Sequence, residues 1–201
     1  MNFLMIDACP RPRGVSRSYR LGAAFRDEFM RLNPCAELAE LRLDDRALVP
    51  LTGAAERARS RLTDAATFDD ASLALARQFA EADVVAICAP YWNFQFPAAL
   101  ATYFEHVCVS GVTFTYVDDQ PVGLCRARAL AYFTSAGGFI GADDWGYGYI
   151  RAMAGKLLGV PQFYCAAADG LDTLGADVGA ILTRAQVRAR DIAAEITRFF
   201  I

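Results

Sequence analysis

The sequence predicts an α/β fold: a flavodoxin-like, doubly wound, five-stranded parallel sheet of order 2-1-3-4-5 with helices on both faces. Three observations predict it. Short apolar runs of strand length alternate with longer segments at helical spacing, giving β-α-β-α-β-α-β-α-β. All of the runs but 36–43 are apolar at successive positions rather than alternate ones, as strands buried on both faces require. The loops after the first, third and fourth runs carry unusual residues, at the end of the sheet where such folds bind ligands. With no internal repeat and no Gly/Ser linker, residues 1–201 read as a single domain.

NFLMIDA (2–8) is the first strand. After the loop CPRPRGV, a helix runs from Ser16 to about Leu32, with Leu21, Phe25, Phe29 and Leu32 at helical spacing. AELAELRL (36–43) alternates and reads as the second strand, whereas the arginine-rich stretch 44–62 is irregular. A helix over 69–82 places Leu75 and Phe79 on one face, and DVVAICAP (83–90) is the strongest strand in the chain. PAALATYFEHVCV (97–109) starts with Pro at a plausible first helical position. RALAYFTSA (128–136) and QFYCAAAD (162–169) are the last two strands, with a helix near 144–158 between them and a closing helix over 176–200.

The composition, 55% hydrophobic and 21% charged, excludes a disordered chain. A net charge of −3 argues against nucleic-acid binding, which needs a concentrated basic face. Arginines do cluster at 11, 13, 17 and 20, a pattern suited to a small anion. No apolar run reaches the roughly 18 residues of a membrane span: the richest, 84–101, is broken by Pro90, Asn93, Gln95 and Pro97. The N-terminus lacks the basic leader and length of a signal peptide. Six cysteines show no C-x-x-C spacing and no metal-like pairing with the single histidine. They read as reduced thiols of a cytoplasmic protein, without a metal site.

For this strand order, the ligand site lies between the first and third strands. The first loop brings Ser16, Arg17 and Ser18 to a helix start, where free N–H groups and the helix dipole favour an anion. The segment is neither G-x-x-x-x-G-K-[ST] nor G-x-G-x-x-G, so neither a nucleoside triphosphatase nor a standard dinucleotide site is indicated. Equally, Ser16 serves as a helix cap and the arginines are solvated. The third loop, APYWNFQFPAAL, offers Tyr91, Trp92, Phe94 and Phe96 as flat apolar area and Asn93 with free amides for a polar edge. The alternative is that these aromatics fill core, Phe96 above all, or a dimer contact. In the fourth loop, Gly137 and Gly138 permit close backbone approach or simply a tight turn, and Ser135 is a donor or a cap. His106 falls inside a helix and reads as structural. Cys9, beside arginines, has one feature of a nucleophile but no base near it in sequence.

Together, ACPRPRGVSRS, APYWNFQFPAAL and TSAGG resemble three loops of the FMN-dependent NADH-azoreductase family, flavodoxin-fold relatives of the NAD(P)H:quinone oxidoreductases. ALATYFEHVCVSGVTFTY and DDQPVGL resemble two further family stretches, so the similarity spans most of the chain. The resemblance implies FMN as cofactor and NADH or NADPH as donor. It also implies ping-pong hydride transfer through the flavin to a quinone or azo acceptor, and a homodimer with the flavin near the interface. Carried over, Ser16, Arg17 and Ser18 hold the phosphate, with Cys9 where the family has Ser. Pro90, Tyr91, Trp92, Asn93 and Phe94 line the isoalloxazine, Ser135, Ala136, Gly137 and Gly138 meet its edge, and Tyr116 borders the substrate side. Ala136 stands where the family's S-R-G-G has Arg, and Trp92 where it has Tyr. With the flavin carrying the chemistry, no catalytic side chain is expected. The rival is a non-enzymatic flavodoxin-like module that carries FMN for electron transfer or sensing. A chain that kept the fold and lost the flavin is a third possibility.

Overall fold

The computed structural model describes residues 1–200. Five of the apolar runs form one parallel sheet: β1 (Asn2–Asp7), β2 (Glu37–Arg42), β3 (Val84–Cys88), β6 (Ala129–Ser135) and β7 (Gln162–Ala168). Their spatial order is β2-β1-β3-β6-β7, which is 2-1-3-4-5 among the core strands. The sheet therefore reverses direction of growth between β1 and β3, as expected.

Strand periodicity then assigns the two faces. Phe3 and Met5 of β1, Val84 and Ala86 of β3, and Ala131 and Phe133 of β6 pack with α1 (Arg17–Leu32) and α6 (Val178–Thr197). Leu4, Ile6, Val85, Ile87, Leu130 and Tyr132 point to the other face. There they meet α3 (Ala74–Glu81), α4 (Ala98–Val107) and α5 (Tyr147–Lys156). An aromatic knot anchors α1: Phe3 meets Phe25 and Phe29 edge-on, with centroids 5.7 and 5.1 Å away, and Phe133 lies 5.1 Å from Phe25. Gly22 allows the helix to come this close, because a Cβ there would stand 2.0 Å from the Cys88 sulfur. This packing fixes where the helix starts, and hence where its free N–H groups lie.

Two elements differ from the sequence reading. The stretch read as irregular contains α2 (Gly53–Asp64), capped by Thr52, whose hydroxyl accepts from the Ala55 N–H. None of its residues is fully buried, and Leu62 alone packs on the cluster of Leu73, Ala76 and Val109, too little for periodicity to find; the cap and its Ala, Arg and Glu content help sustain it. Residues 114–123 form a small antiparallel hairpin of β4 (Phe114–Val117) and β5 (Gln120–Gly123). Asp118 and Asp119 turn it with φ of 49° and 59°, a conformation Asp tolerates better than most residues. Helix bounds also tighten, to 147–156 for α5 and 178–197 for α6.

Candidate functional site

The site begins at the N-terminus of α1. Ser16 is its cap: the hydroxyl accepts from the Tyr19 N–H at 3.3 Å, and Ser16 N–H donates to Pro12 O at 3.0 Å, closing the loop. The cap role and an anion role are compatible, because a hydroxyl that accepts still has its own hydrogen to donate. Ser18 Oγ lies 2.8 Å from Ser135 Oγ, joining the helix to the end of β6. Both serines of the helix start are buried.

The arginine cluster separates into different roles. Arg13 is spent inside the protein, with Nε 3.1 Å from the buried Asp7 carboxylate and another nitrogen 2.8 Å from Glu40. Its guanidinium also lies over the Tyr19 ring at 4.7 Å. Asp7 uses its second oxygen to accept from the Cys9 N–H at 3.1 Å. Arg13 thus clasps the loop to the sheet, leaving Arg11 and Arg17 as the cations at the opening.

The aromatic loop is a hairpin. Trp92 and Gln95 exchange both backbone hydrogen bonds, at 2.7 and 2.9 Å. Between them Asn93 and Phe94 have φ of 50° and 67°, left-handed values that cost a Phe about 1–2 kcal/mol. The hairpin is tied down at its base by Tyr91 N–H to Ser135 O at 2.9 Å and at its tip by Trp145 N–H to Phe94 O at 3.1 Å. Tyr91 donates its hydroxyl to Asp143 O at 3.1 Å. Phe96 turns inward and is core.

These loops enclose a cleft of about 200 Å³. Cys9, Ser16, Arg17 and Ser18 line one part of it; Pro90, Tyr91 and Trp92 a second; Ser135, Ala136 and Gly137 a third. Asn93, Phe94, Gly138 and Tyr116 lie outside this lining. Phe94 and Tyr116 are strongly exposed, Tyr116 on the β4–β5 hairpin. Arg11, from the arginine cluster that suited an anion, is also in the lining, as are two residues the sequence did not single out: Pro10 and, from the loop after β7, Asp172. The signal for Asp172 was available: ADGLDTLG also follows a parallel strand at its carboxyl end.

Burial pushes the Cys9 thiol up to about 12, and its Sγ points toward Cys88 O at 3.5 Å. A thiol held protonated is no nucleophile at neutral pH. His106 is remote from the cleft, with Nε2 2.9 Å from Val49 O in a contact that steadies the segment before α2.

The family model described as having a flavodoxin-like fold matches residues 1–193. The chain belongs to this family. Among flavodoxin-like relatives it is 34% identical over 197 residues to the FMN-dependent NADH:quinone oxidoreductase 2 of Clostridium acetobutylicum, covering 96% of this chain and 98% of that one. It is 31% identical over 194 residues to the FMN-dependent NADH:quinone oxidoreductase of Lachnoclostridium phytofermentans, with coverage of 96% and 98%. A crystal structure of azoreductase from Bacillus anthracis superposes with a TM-score of 0.87 at 23% identity, over 97% of this chain and 99% of that one. An FMN-dependent NADH-azoreductase of the same species, in complex with FMN, gives 0.84 at 21% identity, over 98% and 99%. The structural likeness bears on fold; the similarity to the sequence relatives covers 96% of this chain.

Proposed function

We propose that this chain is an FMN-dependent oxidoreductase that passes reducing equivalents from NADH or NADPH to a quinone or an azo compound. The relatives' shared description supports the activity. One observation in this chain carries the cofactor: an anion-binding helix start and an aromatic wall occupy one cleft, at the switch point of the sheet.

The residues present fit FMN. The free N–H groups at the start of α1, the Ser16 and Ser18 hydroxyls and the Arg17 guanidinium would hold the phosphate. Tyr91 and Trp92 would flank the ring system, and the Gly137 N–H would meet its polar edge. Bound there, FMN supplies reversible two-electron transfer, which needs no acid–base dyad from the protein. The chain's own work is positioning. Arg13 fixes the phosphate loop against β1, and Tyr91 fixes the aromatic hairpin against β6. Donor and acceptor would use the open side of the cleft in turn, giving ping-pong kinetics.

The cleft is smaller than the roughly 300–1,000 Å³ of enclosed ligand sites, and exposed aromatics surround it. Trp92 is 42% exposed, Phe94 64%, Phe139 76% and Trp145 65%. A second copy of the chain would cover such a surface and complete the site, so we propose a homodimer. All six cysteines are free, which suits a reducing, cytoplasmic setting.

Anaerobic spectroscopy tests the activity. The FMN-loaded protein should lose its visible flavin absorbance on addition of NADH or NADPH and regain it when a quinone or azo dye follows. Flavin absorbance that neither nucleotide bleaches would reduce the chain to a carrier module. Failure to take up FMN at all would remove both readings.

A further inference from the structure

Asp172 is out of place by charge: it puts a carboxylate in a cleft read as a phosphate site. Its position is nonetheless tightly set. Gly170 N–H donates to Gly138 O at 2.8 Å, Leu171 N–H to Ala136 O at 3.2 Å, and Asp172 N–H to Gly137 O at 2.8 Å. The loop after β7 is therefore zipped onto the loop after β6. From this backbone the carboxylate reaches in two directions. Oδ1 accepts from Arg17 Nη1 at 3.0 Å, toward the start of α1. Oδ2 lies 2.3 Å from where a Cβ on Gly137 would stand, so the carboxylate packs directly against this glycine. Asp172 thus stands between the anion end of the cleft and the backbone edge beside the aromatic wall.

An ion pair this exposed adds little to stability, so fold maintenance is a poor reason for it. A carboxylate has about four acceptor positions, and one hydrogen bond to it, from Arg17, is present. What suits the remainder is a hydroxyl donor placed between a phosphate and a flat ring. We propose that Asp172 recognises the polyol chain of the flavin nucleotide, accepting a hydrogen bond from a chain hydroxyl while Arg17 holds the carboxylate in place. The inference rests on the FMN reading above, and it makes Asp172 a cofactor-binding residue that selects for a hydroxylated linker. Arg17 then has a double part, neutralising Asp172 on one side and facing the phosphate on the other.

The test compares two ligands with the same ring and phosphate: FMN, and a flavin whose N10 substituent is a 5-phosphopentyl chain without hydroxyls. Dissociation constants are read from quenching of flavin fluorescence by the apo-protein, for wild type, Asp172→Ala and the isosteric Asp172→Asn. Wild type should prefer FMN. Asp172→Ala should weaken FMN about tenfold or more, the effect of losing one hydrogen bond to a charged acceptor, and change the analogue less than twofold. Asp172→Asn, which keeps the loop shape and a weaker acceptor, should fall between. Equal weakening of both ligands would overturn the proposal and make Asp172 a support for Arg17 or the loop. Equal tightening would overturn it as well, showing that Asp172 competes with phosphate for Arg17. A wild type that does not distinguish the ligands also contradicts it. If wild type binds neither, the flavin reading itself has failed.

Discussion

Ser18 and Ser135 share a hydrogen bond of 2.8 Å between their hydroxyl oxygens, linking the first turn of α1 to the carboxyl end of β6. The bond couples the anion end of the cleft to the loop that contains Ala136 and Gly137. One hydroxyl donates to the other, and the acceptor's hydrogen stays available to a ligand.

Replacing Ser16 and Ser18 together with Ala removes two donors to a phosphate, each worth about 1.5–3 kcal/mol when the acceptor is charged. FMN affinity should fall by roughly two orders of magnitude or more. Loss of the Ser16 cap should also cost about 1 kcal/mol of stability. Fluorescence titration and urea unfolding separate the two effects, and an unchanged FMN dissociation constant would leave these serines as structural residues only.

The exposed aromatics around the cleft predict self-association. Light scattering at micromolar concentration should give twice the 21.9 kDa chain mass, and Trp145→Asp or Phe139→Asp should shift it toward one chain. A monomeric wild type would count against a site completed by a second copy.

Ala136 lines the cleft while its backbone is fully engaged, N–H to Ala168 O at 2.9 Å and carbonyl to Leu171 N–H at 3.2 Å. Arg13 cannot supply the cation missing here, since Asp7 and Glu40 hold it. Ala136→Arg should therefore raise kcat/KM for sulfonated azo dyes tens-fold relative to neutral quinones, an effect of about 1–3 kcal/mol on a charged substrate. Equal responses from the two substrate classes would show that this position does not set acceptor choice.

Burial raises the Cys9 thiol to about 12, so the native state keeps a proton that the unfolded chain loses near its ordinary value. The stability this provides is intact below about pH 8.5 and declines as pH rises toward 12, by about 1.4 kcal/mol per pH unit. Cys9→Ala should show a shallower alkaline decline in urea midpoint than wild type between pH 9 and 11. At pH 8, iodoacetamide should modify the exposed Cys35 well before the buried Cys9. Preferential labelling of Cys9 would mean a reactive thiol after all.

The sheet was legible because burial on both faces leaves a plain mark: VVAIC is apolar throughout and becomes the central β3. The three site loops were legible because strand order dictates where a ligand goes, whatever the loops contain. What escaped had no such mark. The α2 helix has no fully buried residue and packs inward mainly through the half-buried Leu62, so its apolar pattern is faint. The β4–β5 strands form a short two-stranded ribbon, with pairing set by a local Asp-Asp turn rather than by a buried face. The division of labour among the arginines was also hidden. Whether Arg13 faces solvent, ligand or Asp7 depends on a side-chain path across β1 and β2 that spacing does not encode. The loop of Asp172 could be placed at the carboxyl end of a strand, but its pairing with Arg17 became visible only when the fold brought residue 172 beside residue 17.

The phosphate site is tested most directly by one titration, of apo-protein with FMN and with riboflavin, which differ only in the phosphate. If the start of α1 is the phosphate site, FMN should bind at one per chain and at least a hundredfold more tightly than riboflavin, since several charge-assisted hydrogen bonds are at stake. Equal affinity for the two, or no quenching by either, would contradict it.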